Sequence, residues 1–371
     1  MHCSLKSIMI AGLLVFSITP TTAQVVVNSL DEIEKKEGLI EIELVREWDA
    51  ETTGEHAMAF FNPLDLAFDK EGNLYILDSG NNRIQVFTLY GEFIRSIGGK
   101  QGRGPGEFNM PSYLEIDDHD NLLINDPFNK RIQILSTFGK YSGGFNHKQG
   151  LVGLEGLVSL PDRRLFFKNS RVLENKKPLL LEYDYEGQFM GTVGHHPFPL
   201  ISSKYLEGFS FCFSPQKDAF FVSYYVHPQI DIIDHQGHTF RSIKYTTPHS
   251  LQSSNLEKDR VETSKTFDVD SNGNIYLVAY ERHRQNKEKK IGTMSGLMFG
   301  DGKHILRFGN HGIETNHTDL FRLLIFNDQG KILASKRLDV FVNRIKIYKN
   351  HLFLMDSFVG MKIYQYKVLF R

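Results

Sequence analysis

The apolar residues of this chain fall in short runs rich in Ile, Val, Leu, Phe and Tyr, and the breaks between them are turns of Gly, Asn and Asp. That pattern predicts strands joined by tight turns. The runs also repeat. FDKEGNLYILDSGNNRIQVFTLYGEFIRSIG (Phe68–Gly98) and IDDHDNLLINDPFNKRIQILSTFGKYSGGF (Ile116–Phe145) share one order: acidic turn, Asn-Leu, apolar strand, Asp, polar turn, Arg-Ile-Gln, apolar strand, glycine turn, further strand. The step from Asn73 to Asp78 equals that from Asn121 to Asp126, and Asp78 to Arg83 equals Asp126 to Arg131. Agreement at several positions at once marks an internal repeat.

Weaker copies begin at Ser159, Phe213 and Val269; the last of these resumes at Phe321 after an insertion, and a final copy from Arg344 stops one strand short. Each full copy fits a four-stranded antiparallel meander, and such units arranged radially make a propeller. Six copies are present, and one strand, LIEIELVREWD (Leu39–Asp49), precedes the first without a place in it. The pattern therefore predicts an all-β, six-bladed β-propeller of four-stranded antiparallel blades. Its N-terminal strand would close the last blade and remove a free edge. A seventh blade would have to come from the insertion, which lacks the Asn…Asp…Arg spacing.

Two stretches, LDSGNNRIQVF (Leu77–Phe87) and GKQGRGPGEFNMPSYLEID (Gly99–Asp117), resemble the NHL-repeat class of six-bladed propellers, and in particular its exported bacterial members known only by their fold. The resemblance is strongest in the first two copies. It implies the fold, which proteins of different function share. It also explains IGGKQGRGPGEF (Ile97–Phe108) as an interblade linker. A phosphate loop would need Gly-Lys followed by Ser or Thr, whereas Gln101 follows Lys100.

Composition narrows the setting. A hydrophobic fraction of 41% suits a folded body, and a formal charge of −1 gives no general attraction to a nucleic-acid backbone. Residues 1–24 have the order of an export signal: Lys6, an apolar run from Ile8 to Ile18, then TPTTAQ with Ala23 as the small residue before a cut. That run is too short to span a bilayer, and no other segment is long and apolar enough. The expected mature chain is a single propeller over residues 25–371, periplasmic or secreted. Cys3 leaves with the signal, so Cys212, in GFSFCFSP, remains alone and is expected in the core. No cysteine follows the cut closely enough to take a lipid anchor.

In such a blade, the loop between second and third strands shares a face with the loop leading to the next blade, and ligands meet that face and the channel. The residues predicted there are His56, Arg103, Tyr113, Phe128, Arg171, His195, His196, Tyr205, Tyr225, His227, Arg282 and His283, an aromatic and basic set. Asp78, Asp126 and Asp356 end second strands. They could form a carboxylate ring, but a short acceptor that caps turn N–H groups recurs wherever the turn recurs, and this is the stronger expectation. Arg83 and Arg131 are expected to be structural as well. Fifteen histidines raise the possibility of a channel metal, with His195, His196, His227, His235 and His283 as candidates. Against it, adjacent histidines rarely hold one ion, and His235 and His238 fall on the opposite face. No Gly-x-Ser-x-Gly elbow occurs.

The insertion, about residues 281–319 in the fifth copy, opens with the basic run ERHRQNKEKK and would reach over the ligand-bearing face as a lid or contact arm. The expected function is an exported, cofactor-free binding or scaffold propeller for a peptide, glycan or partner protein. The alternative is a metal-dependent lyase or lactonase with calcium or zinc in the channel.

Overall fold

A computed structural model describes residues 23–48, 59–146, 156–169, 177–198, 208–252, 261–283 and 317–371. The expected export signal up to residue 22, His56, Arg171, Tyr205 and residues 284–316 of the insertion lie outside the described residues.

The chain forms the expected six-bladed propeller. Blade 1 is built from Pro63–Phe68, Leu74–Asp78, Arg83–Phe87 and Phe93–Gly98. Blade 2 follows with Tyr113–Ile116, Asn121–Asp126, Arg131–Ser136 and Tyr141–Asn146. Blade 3 has Leu157–Ser159, Leu165–Lys168, Leu180–Tyr183 and Phe189–Val193, and blade 4 has Phe209–Ser214, Ala219–Tyr224, Gln229–Ile233 and Thr239–Tyr245. Blade 5 comprises Ser264–Val269, Ile275–Tyr280, His317–Phe326 and Ile332–Val340. Blade 6 takes Arg344–Tyr348, His351–Asp356 and Lys362–Phe370 from the C-terminus. Within each blade successive strands are antiparallel neighbours.

Second strands such as LYILD, AFFVSY and IYLVAY are buried along their whole length. They read as unbroken apolar runs because both faces of a blade are covered, one by each neighbour. The core is accordingly divided into six clusters, each shared by two adjacent blades. Tyr75 and Val86 meet Leu122 and Leu135 between blades 1 and 2, and Phe166 meets Phe209 and Phe220 between blades 3 and 4.

Closure is made as the sequence predicts: Ile40–Trp48 pairs antiparallel with Lys362–Phe370 as the outer strand of blade 6. At its end Trp48, 2% exposed, stacks on Phe87 of blade 1 and Phe353 of blade 6, with ring centres 5.8 and 5.9 Å away. The segment before it adds a contact that the repeat pattern did not predict. Gln24–Asn28 lies parallel on Thr239–Tyr245 as a fifth strand of blade 4. A short helix, Leu30–Glu34, then starts at a capping box formed by Ser29 and Glu32. Ile33 is fully buried in the cluster between blades 4 and 5. Asn28 Oδ1 accepts from Ile332 N (2.9 Å), and its Nδ2 donates to Gly330 O (2.9 Å). One N-terminal strap thus spans blades 4, 5 and 6. QVVVN was missed because it is short and begins at Gln24, the last residue given to the expected signal.

Trp48→Ala should lower the unfolding free energy by about 3–5 kcal/mol, the usual cost of emptying a large aromatic site. Urea unfolding checks this, and an unchanged midpoint would mean that the closing strand contributes little.

Candidate functional site

Loop geometry on the predicted face follows from two repeated aspartates. Asp78 Oδ1 accepts from Phe61 N (2.8 Å), and its Oδ2 accepts from Asn81 Nδ2 (2.9 Å) and Arg83 Nε (2.7 Å). In blade 2, Asp126 Oδ1 accepts from Asn109 N (2.9 Å), and its Oδ2 from Asn129 Nδ2 (2.8 Å) and Arg131 Nε (3.0 Å). Each cassette staples the incoming interblade linker to the turn after the second strand. Arg83 extends it to Ala59 O (2.9 Å), and Arg131 to the carbonyls of Arg103 (2.6 Å), Gly104 (3.0 Å) and Glu107 (2.7 Å). Asp356 accepts instead from the backbone N–H groups of Phe358, Val359 and Gly360. These carboxylates are therefore turn caps, as the sequence suggests. In the linker Ile97–Phe108, Gly98 is required: its φ is +84°, and a Cβ there would meet the Phe108 ring at 2.6 Å.

The innermost strands carry a second polar group, which surrounds the central channel. Asp65 comes from blade 1, Tyr113 and Glu115 from blade 2, Ser159 from blade 3, Cys212 from blade 4, Asp268 from blade 5, and Arg344 and Lys346 from blade 6. Asp65 Oδ1 accepts from Leu66 N (2.9 Å) and Arg344 Nε (2.8 Å), while its Oδ2 accepts from Leu114 N (3.2 Å). Asp268 Oδ2 accepts from Ile347 N (2.9 Å), and its Oδ1 lies 3.6 Å from Lys346 Nζ. Each acid thus ties its blade to a neighbour. Arg344 Cζ lies over the Tyr113 ring, 5.3 Å from its centre. The side chains of Arg344 and Lys346 keep 31% and 34% of their surface although protein surrounds them, so that surface faces the channel lumen.

Glu115 Oε1 accepts only weakly from Ser159, at 3.4 Å from N and 3.5 Å from Oγ. Burial pushes its carboxyl up to about 7; Lys346, the Ser159 N–H and Arg344 pull the other way, and Asp65 adds to the rise. Asp268 chiefly raises Lys346 against its burial. Burial opposes the charge on Arg344, but Asp65, Tyr113, Tyr225 and Asp268 together outweigh it and the guanidinium is held firmly protonated. The Cys212 thiol is pushed well above its usual value by burial and then by Asp268. Cys212 packs, as expected, against a core cluster, the one shared by blades 4 and 5, but it is only half-buried and lies on an innermost strand.

Of the predicted residues, the structure brings together Tyr113 and Tyr225, both within electrostatic reach of Arg344. Lys168 joins them, its Nζ 5.2 Å from the Tyr225 ring centre and 5.4 Å from that of Phe209. His196 and His227 are also brought together, both against Phe198, and the rest of the described ones are dispersed. Arg103 is exposed on the linker, and Phe128 is half-buried in the turn Pro127–Asn129. His195 is exposed, but His196 is fully buried against Phe198, Phe209 and Tyr224. His227 is buried and stacks on Phe198, with centres 3.4 Å apart. Arg282 pairs with Asp319, and His283 meets the His249 ring at 4.3 Å. On the opposite face, His235 binds Asp218 (2.7 Å) and His238 binds Asp234 (3.1 Å). Among the described residues no group of three or more His, Cys, Asp or Glu could hold a metal ion.

Asp65, Glu115, Asp268, Arg344 and Lys346 were missed by loop counting. Their signal is alternate charge in otherwise apolar first strands, as in Arg344-Ile-Lys346 and Tyr113-Leu-Glu115.

Residues 62–236 match a protein family described as a 6-bladed beta-propeller. No curated protein matches the sequence. Among solved structures, a Bacteroides fragilis protein named for its expected export is similar at TM-score 0.58 and 11% identity, over 94% of this chain and 100% of that one. A member of the DUF4221 family from Bacteroides vulgatus is similar at TM-score 0.57 and 11% identity, over 90% and 99%. A catalytically inactive virginiamycin B lyase from Staphylococcus aureus, with quinupristin, reaches TM-score 0.50 and 10% identity, over 89% and 100%. At these identities the likeness shows the fold alone.

Glu115 makes stability depend on pH. The unfolded chain releases this proton near 4.5, whereas the folded protein keeps it to about 7, so the folded state binds more protons between those values. Its contribution to stability is therefore fully present below 4.5 and is lost as pH rises to about 7. Denaturant unfolding of the wild type and Glu115→Gln should show the variant gaining on the wild type across that window and holding a constant lead above it. A difference that does not change with pH would contradict the assignment.

Proposed function

We propose that this protein is an exported binding propeller that holds a peptide, glycan or partner protein at the mouth of its channel, without a catalytic cofactor. The observation that carries the proposal is the gathering of Tyr113 and Tyr225, from blades 2 and 4, near Arg344, with Lys168 beside Tyr225. Aromatic faces joined to fixed cations form an amphipathic surface suited to extended polar ligands. The N-terminal signal pattern supports export.

Peptide and glycan arrays probed with the wild type, Tyr113→Ala and Tyr225→Ala should yield a ligand whose affinity falls at least about tenfold in both variants, the scale of a lost aromatic anchor. A ligand that binds all three proteins equally would move the site elsewhere. Elemental analysis of the purified protein should find calcium and zinc well below one equivalent. A stoichiometric ion that survives dialysis would favour the lyase or lactonase alternative.

A further inference from the structure

We infer that the channel receives a carboxylate of the ligand, held by the Nη edge of Arg344 and by Lys346. The inference rests on the proposed binding role and specifies the chemistry of the ligand. Arg344 and Lys346 stand two positions apart on the innermost strand of blade 6, so both leave it on one side. Arg344 donates through Nε to Asp65, and its two Nη nitrogens make no hydrogen bond within the described residues. Lys346 Nζ lies 3.6 Å from Asp268 Oδ1, an ion-pair distance longer than a hydrogen bond. Asp65 is fully committed, and Asp268 holds Lys346 through Oδ1 at ion-pair distance alone. Asp65 accepts from Leu66 N, Leu114 N and Arg344 Nε, and Asp268 accepts from Ile347 N. What remains is a planar guanidinium edge, set over the Tyr113 ring, beside an ammonium. The two oxygens of a carboxylate match that fork.

Glu115 is the third carboxyl in the channel, and every neighbouring blade acts on it. Ser159 reaches it from blade 3, Lys346 and Arg344 from blade 6, Asp65 from blade 1 and Cys212 from blade 4; Asp268 of blade 5 lies beyond Lys346, and Tyr113 shares its strand. Burial keeps it protonated up to about 7, so below neutrality it does not compete for the two cations. Above that value its charge repels a second carboxylate. Affinity therefore falls as pH rises through about 7.

A peptide C-terminus and a uronic acid share this chemistry. Titration calorimetry on the full chain at pH 6 should compare N-acetyl-alanyl-alanine with its C-terminal amide, and glucuronic acid with glucose. At least one acid should bind, with its neutral counterpart weaker by tenfold or more. Binding of the peptide acid assigns a chain terminus, and binding of glucuronate assigns an acidic glycan. Arg344→Gln should weaken the acid by roughly 30-fold, as for a truncated buried charge partner. Because that variant also breaks the Asp65 pair, Lys346→Met, which removes no hydrogen bond, provides the second arm, with a loss of about tenfold expected. Between pH 6 and 8 the wild-type affinity should fall severalfold, and by no more than about tenfold because the carboxyl of the ligand-free protein titrates near 7, whereas in Glu115→Gln it should stay level. The inference is overturned if acid and neutral partners bind alike, if neither acid binds at 10 mM, or if Lys346→Met binds the acid as the wild type does. A neutral ligand lost in Tyr113→Ala but retained in Arg344→Gln would overturn the carboxylate and leave the binding role standing. Arrays that yield no ligand would overturn the binding role itself.

Discussion

Every blade of this protein borrows half of its core from each neighbour, and that sharing makes closure of the ring the constraint on which the rest depends. The cluster between blades 6 and 1 gathers Trp48, Phe60, Leu66, Leu74, Ile76, Phe87, Phe353, Met355 and Ile363. A large apolar side chain fully buried is worth about 1.5–3 kcal/mol. Exposing even half of that cluster would therefore cost an amount comparable to the whole net stability of a typical domain, about 5–15 kcal/mol. Ile40–Trp48 prevents this by joining the C-terminal strands to a segment from the other end of the chain. The strap before it, through Gln24–Asn28 and the buried Ile33, secures that segment across blades 4 and 5.

Closure also produces the chemistry at the axis. Six first strands drawn together leave a narrow space in which charge is costly unless paired. Asp65 and Asp268 meet that cost by accepting backbone N–H groups and binding Arg344 and Lys346. Glu115, with only long contacts to Ser159, meets it by holding its proton. The channel is thus lined by committed acids, incompletely used cations and one carboxyl that titrates near neutrality. At the mouth, Tyr113 links this interior to the aromatic surface that also includes Tyr225.

Much of the fold was legible because it repeats. The Asp…Arg offset shared by Asp78/Arg83 and Asp126/Arg131 reports a hydrogen-bonded turn whose geometry permits little change, and it located blade boundaries correctly. The closing strand was legible by subtraction, as one apolar run too many before the first repeat and one too few after the last. Gln24–Asn28 was not, since a five-residue strand carries little periodicity and its parallel partner lies more than two hundred positions away. The site was less legible than the fold. Counting loops found Tyr113 and Tyr225, but it also selected His196 and His227, which pack in aromatic surroundings. It could not find Arg344 or Lys346, because convergence at a symmetry axis is set by blade geometry and leaves only a single charged alternation in each strand. Cys212 packs against the core as its apolar run implied, but only half-buried, because it lies on an innermost strand.

The claim that ring closure builds a desolvated, charged channel is tested most directly by titrating the Glu115 carboxyl itself. Carbon-13 NMR of protein labelled at glutamate side-chain carboxyls, with Glu115→Gln used to assign the signal, reports its protonation. The account predicts a midpoint near 7. A midpoint at the ordinary glutamate value, about 4.3, would contradict it.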